Sequence, residues 1–182
     1  MTDTYRRLIA GQFEASLATL NHCVAWCPDD TWRARVARYR FCQVAFHVLY
    51  FADFYLTADP ETAFEGQPFH LAHPRLFGAL GHDQEPLEAS GDGVYPRTDV
   101  QAYVEFCRRK ALDTIASETE ESLSAPVKLP RRNLPRAELH VYNIRHIQHH
   151  AAQMIMRLRL DTDVDVPWIS SGWRDPAPAP PR

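Results

Sequence analysis

Apolar residues return at helical spacing in four separate stretches of the chain. In the first, from Thr4 to about Ala25, they fall at Leu8, Ile9, Phe13, Leu17, Leu20 and Val24, the period of one helix face. Pro28-Asp29-Asp30 then breaks the pattern with turn and capping residues. A second helix is expected from about Trp32 or Ala34 to about Thr57. It begins with Arg33, Arg35, Arg38 and Arg40, and from Phe41 it is apolar nearly all round, through Val44, Phe46, Val48, Leu49, Phe51, Phe54 and Leu56. A helix of that profile belongs at the centre of a fold.

Residues 58–97 follow no period. They hold Pro60, Pro68, Pro74, Pro86 and Pro96, and a connection of about forty residues is far longer than a bundle turn. It reads as a crossover from one end of a bundle to the other, of the length that often carries function. Thr98-Asp99-Val100-Gln101 has the form of a capping box and predicts the start of a third helix running to about Ser117. Val100, Tyr103, Val104, Cys107, Ala111 and Ile115 would face inward, and Arg108-Arg109-Lys110 reads as a solvated face. After an irregular connection over 118–134, Pro135 suits the first position of a fourth helix, which continues to about Leu160. Trp168 and Trp173 could pack back on the bundle, and the chain closes in Pro-Ala-Pro-Ala-Pro-Pro-Arg182, an extended terminus. With no repeat and no strand signal, the fold class is all-α: a four-helix bundle with a long crossover between its second and third helices. The bundle is expected to occupy 1–168 and a Pro-rich C-terminal tail 169–182.

Composition narrows the function classes. With 182 residues, 45% of them hydrophobic and 24% charged, one ordinary globular domain is the simplest reading. A net charge of −3 gives no electrostatic case for nucleic acid. No apolar run approaches the roughly 18 residues that a membrane span requires. The N-terminus lacks the apolar core of a signal peptide, so a cytoplasmic location is expected. Cys23, Cys27, Cys42 and Cys107 form no Cys-x-x-Cys pair and read as buried, reduced small hydrophobes.

The chemistry concentrates in Asn143-Ile-Arg-His146-Ile-Gln-His149-His150-Ala-Ala-Gln153. On a helix, positions four apart lie about 40° from eclipsed and about 6 Å apart along the axis, so His146 and His150 can address one object. As a bare pattern, the pair reads equally as half of a metal site or as polar groups hydrogen-bonded to neighbouring helices. Axial height supplies a third member. If the second helix covers about 34–57 and the fourth about 135–160, side-by-side packing brings His47 to the level of the pair, inside the bundle where such metal sites are built. His149 lies about 60° from His146, on the side away from His150, and belongs beside the site or at its rim. Asp53 falls about 120° from His47 and is not recruited. His70 and His73 fit an ordinary loop better than a ligand pair, and His22, His82 and His140 have no evident company.

Taken together, Phe46-His47-Val48-Leu49-Tyr50 and Asn143-x-x-His146-x-x-His149-His150-x-x-Gln153 resemble the DinB-like (DinB/YfiT) metalloenzyme family, over the second to fourth helices and the crossover. The resemblance implies a bundle of unusual connectivity and a divalent metal, zinc or nickel foremost, held by His47, His146 and His150. Gln153 matches the family's glutamine, while Ala152 stands where a glycine is often found. Asn143, His149, Gln153 and Tyr50 become candidates for places beside the ligands or at the rim. The resemblance further implies a homodimer, a small-molecule substrate and, for members with an assigned reaction, transfer or isomerisation dependent on a low-molecular-weight thiol such as bacillithiol or mycothiol. Three neutral nitrogen ligands leave an open coordination position, as in catalytic zinc sites. Two alternatives stay open: a hydrolase using metal-activated water, and a non-catalytic metal- or ligand-binding module.

Overall fold

A computed structural model describes residues 2–36, 39–57, 94–129 and 132–178. The long helices are α1 (Thr2–Trp26), α3 (Phe41–Tyr55), α4 (Arg97–Ser117) and α6 (Arg136–Thr162), and two single-turn helices, α2 (Asp29–Arg33) and α5 (Glu120–Ser124), sit in the connections. Helices α1 and α3 each pack on α4 and α6, which places α1 and α3 at diagonally opposite corners of the bundle. No described helix is long and apolar enough to cross a membrane.

Cross-helix contacts give the directions. Tyr5 meets Ala137 and His140, while Cys23 meets Ala151, so α1 and α6 run parallel. Phe46 meets Tyr103, and Asp53 further along α3 meets Lys110 further along α4, so α3 and α4 are also parallel. Two consecutive parallel helices cannot be joined by a short turn. The end of α3 and the start of α4 therefore lie at opposite ends of the bundle, in keeping with the crossover read from the 58–97 stretch. Residues 58–93 of that stretch, with His70, His73 and His82, lie outside the described residues.

Burial follows the apolar pattern. In α1, Ile9, Phe13, Leu17, Leu20 and Val24 are buried, whereas Leu8 is exposed. In α3, Phe41, Phe46, Val48, Leu49 and Phe54 are buried along with most of the helix, as expected for an element apolar nearly all round. All six inward positions expected of the third helix are buried in α4. The four cysteines are free and buried, and burial pushes their thiols above the usual range.

Several expected boundaries move. Helix α3 starts at Phe41, and two short antiparallel strands precede it, β1 (Arg35–Val36) and β2 (Tyr39–Arg40), paired Arg35 with Arg40 and Val36 with Tyr39. Buried Trp32 causes the break. Its indole N–H donates to the Tyr95 carbonyl and its ring packs against Phe41, so the chain must turn between these two anchors before the long helix starts. The connection after α4 likewise contains α5 and a second antiparallel pair, β3 (Pro126–Leu129) and β4 (Arg132–Pro135). Strands this short are too brief to show a period of two in the sequence. The capping box expected at Thr98 does not form: the cap is Pro96, and Thr98 already lies within the helix. Arg97 holds that end instead, donating to the Val24 carbonyl and pairing with Asp29. Pro135 is the cap of α6 rather than its first residue.

The segment after α6 lies along α1. Ile169 is buried against Ala15 and Ala18, the Gly172 N–H donates to the Gly11 carbonyl, and the Trp26 indole donates to the Ala177 carbonyl. Trp173 packs there under the Arg108 guanidinium, while Trp168 remains 79% exposed. The stretch from 169 is held against α1 as far as Ala177.

Candidate metal centre

His47 adjoins residue 48, the midpoint of Phe41–Tyr55, and His146 and His150 straddle residue 149, the midpoint of Arg136–Thr162. Side-by-side packing of α3 and α6 therefore brings the three together even though α3 starts later than expected. Ring centroids are 5.5 Å apart for His47 and His146, 5.0 Å for His47 and His150, and 4.8 Å for His146 and His150. One nitrogen from each ring lies within 4.8 Å of the other two, and all three residues are half-buried. That is the spacing at which one ion can be shared.

The electrostatics suit a cation held by neutral ligands. Burial, then the His150, His47 and His149 rings, push His146 down to about 3, so at neutral pH it carries no proton to compete with a metal. Its Nδ1 is buried and has no hydrogen-bond partner among the described residues. A buried polar atom left that way calls for an ion or a water.

Gln153 sits between two histidines. Its Oε1, which can only accept, lies 2.9 Å from His150 Nδ1, so that nitrogen carries the proton and Nε2 keeps its lone pair. The Gln153 amide nitrogen lies 3.2 Å from His149 Nε2 and donates to it, which holds the carboxamide in the orientation His150 needs. His149 is exposed, with its ring 5.0 Å from that of His150. Asn143 behaves differently. It is fully buried, and its amide N–H donates to the Ala52 carbonyl at 2.9 Å, which joins α6 to α3. Tyr50 is 2% exposed and packs against Phe46 and Phe51; it borders the site through the Phe51 ring.

Two buried polar clusters escaped the sequence reading. Asp53, fully buried, accepts from the Tyr103 hydroxyl at 2.8 Å and from Lys110 Nζ at 2.5 Å, and Lys110 also donates to the Thr57 hydroxyl. Arg108 pairs with Glu14, so of the run expected to be a solvated face only Arg109 is well exposed. A lone carboxylate inside an otherwise apolar helix was the available signal, since a buried charge has to be paired. His140, expected to be isolated, lies with Nδ1 3.0 Å from the Tyr5 hydroxyl and Nε2 3.3 Å from Glu118. His22 has its own partners, the Ala18 carbonyl and the edge of Trp26.

Three imidazoles thus converge from the second and last long helices of a helical bundle, as a group that could hold a metal ion. The family model of the DinB superfamily matches residues 12–154, most of the chain, and the chain belongs to that superfamily. The crystal structure of a DinB-like protein, YjoA, from Bacillus subtilis is similar in fold, with a TM-score of 0.59 at 12% sequence identity over 91% of this chain and 99% of that one. No curated protein matches the chain.

Proposed function

We propose that the chain is a divalent-metal-dependent enzyme of the small-thiol-dependent transferase type, with zinc or nickel held by His47, His146 and His150. The observation that carries this reading is the convergence of one nitrogen from each imidazole to within 4.8 Å. Membership of the DinB superfamily supports it, as does the buried, partnerless Nδ1 of His146. Imidazole suits several first-row ions, so the ligand set alone does not choose between zinc and nickel. Bound by three neutral nitrogens, the ion would keep its full charge and acidify a thiol or water taken into its open position.

The chain's own residues prepare that chemistry. Burial keeps His146 neutral and ready to donate its lone pair. Gln153 holds the proton of His150 on Nδ1. Phe51 packs beside the site with its ring 4.9 Å from that of His47. A homodimer is part of the proposal, supported by the apolar side chains that α6 leaves exposed, Val141, Met156 and Leu160. So is a cytoplasmic location, where low-molecular-weight thiols stay reduced.

The test is turnover of an electrophile panel by metal-loaded protein with and without an added thiol, with adducts identified by mass spectrometry. Thiol adducts from wild type, lost in His47→Ala, are expected. Ester or amide hydrolysis without thiol would replace the transferase reading by a hydrolase. No reaction of either kind would leave a binding module.

A further inference from the structure

An aromatic wall continues from the histidine triad along the α3–α6 seam. The two helices are antiparallel, since His47 meets His150 while Ala52 meets Asn143. One turn beyond His47 on α3 comes Phe51 and a turn later Tyr55; one turn before His146 on α6 comes Tyr142. The Phe51 centroid is 4.9 Å from that of His47 and 5.7 Å from that of His146. Tyr55 stands perpendicular to His146 at 6.0 Å, packs against Phe51 at 5.7 Å and meets Tyr142 edge-on at 5.3 Å. These rings rest on the buried cluster of Phe54, Val127, Leu129 and Leu139, which braces them from behind. All three are half-buried.

Two charged pairs near this flank are already committed: Asp53 is paired with Lys110 across the α3–α4 contact, and Arg136 pairs with Glu118 and donates to the Thr57 carbonyl. Ring faces and edges are what the described residues here offer a molecule. Rings so placed gain beyond area burial from offset-stacked and edge-on contacts with another ring.

We propose that Phe51, Tyr55 and Tyr142 form a subsite that seats an uncharged, planar aromatic group of the substrate beside the three-histidine centre. The proposal rests on the reading of that centre as metal-bearing. It narrows the substrate from any electrophile to one whose reacting carbon lies next to a neutral ring.

The test is a ligand-observed NMR titration of metal-loaded protein with 2-naphthol and with its saturated counterpart, decahydro-2-naphthol. Wild type should prefer the aromatic probe by about threefold to tenfold, the range that ring–ring contacts supply. Tyr55→Phe and Tyr142→Phe should keep the preference, and Tyr55→Leu with Tyr142→Leu should abolish it. Intermolecular nuclear Overhauser effects from naphthol to the Tyr55 and Tyr142 ring protons of wild type give a reading that needs no folded leucine variant. Equal binding of the two probes, or no contact with those protons, overturns the subsite. Repeating the titration on His47→Ala, with metal content measured alongside, separates the two claims. Preference without metal leaves the subsite standing and the metal reading refuted where wild type also lacks metal; metal in wild type without preference does the reverse.

Discussion

Replacing Lys110 by Met removes the positive charge facing a fully buried carboxylate. Asp53 is 0% exposed and accepts hydrogen bonds from Lys110 and Tyr103. Even with both donors in place, burial outweighs their pull and holds its carboxyl above the ordinary range. Breaking a buried pair from one side typically costs about 3–5 kcal/mol, because an uncompensated charge is left behind. Asp53 can limit that loss by taking up a proton. From an ordinary value of about 3.9, protonation at pH 7 costs about 4 kcal/mol, so the loss should settle near 3–4 kcal/mol. That is a large share of a typical 5–15 kcal/mol stability, yet leaves a folded protein to measure. The pH dependence has a definite sign. Because the folded carboxyl titrates above the unfolded one, the folded chain holds an extra proton between the two values, and stability falls as pH rises through that interval. In Lys110→Met the upper end of the interval climbs, so the deficit against wild type should be largest near pH 7.5 and shrink toward pH 4.5. Urea denaturation at several pH values measures it. Asp53→Asn with Lys110→Met should recover most of the loss, since an amide needs no counter-charge. A deficit under 1 kcal/mol at pH 7.5, or one that grows on acidification, would refute the reasoning.

Three further outcomes follow from the same geometry. Gln153→Ala should weaken metal affinity by about ten- to a hundredfold, the usual effect of removing the partner of a ligand histidine, and competition with a chromogenic chelator reads it directly; unchanged affinity would mean that the carboxamide does not set the His150 tautomer. His140 is pushed down to about 4 by burial and then by Arg136; its folded value lies below the unfolded one, so stability should fall as pH drops from 6.5 toward 4 and His140→Asn should flatten that part of the curve, where a difference curve without slope would contradict it. Trp173→Ala should cost about 1–3 kcal/mol, from lost burial against α1 and the lost cation–π contact with Arg108, with metal content unchanged; a loss of metal would show that the C-terminal strap does more than brace α1.

Much of the bundle was legible because its long helices repeat an apolar stripe over several turns, and a period sustained that far outweighs errors at either end. The triad was legible for a related reason. Helix midpoints are averages, so moving the start of α3 from about 34 to Phe41 shifts its centre little and leaves His47 level with the pair. What escaped depends on contacts across elements. The short strand pairs are held by register and by Trp32, the α4 start by an arginine from outside the capping pattern, and Lys110 by a carboxylate on another helix. A face judged by its own composition looks solvated until its partner is known. Asn143 shows the converse: it lies on the ligand stripe, yet its amide is committed to the Ala52 carbonyl.

Elemental analysis of gently purified protein, beside the His47→Ala, His146→Ala and His150→Ala variants, tests the central claim most directly. The account predicts about one equivalent of a divalent ion per wild-type chain and strong loss in each variant. It also predicts stabilisation of wild type alone by added zinc or nickel, about 2.7 kcal/mol at a hundredfold excess over Kd. Wild-type protein that carries no metal and gains no stability from either ion would contradict it.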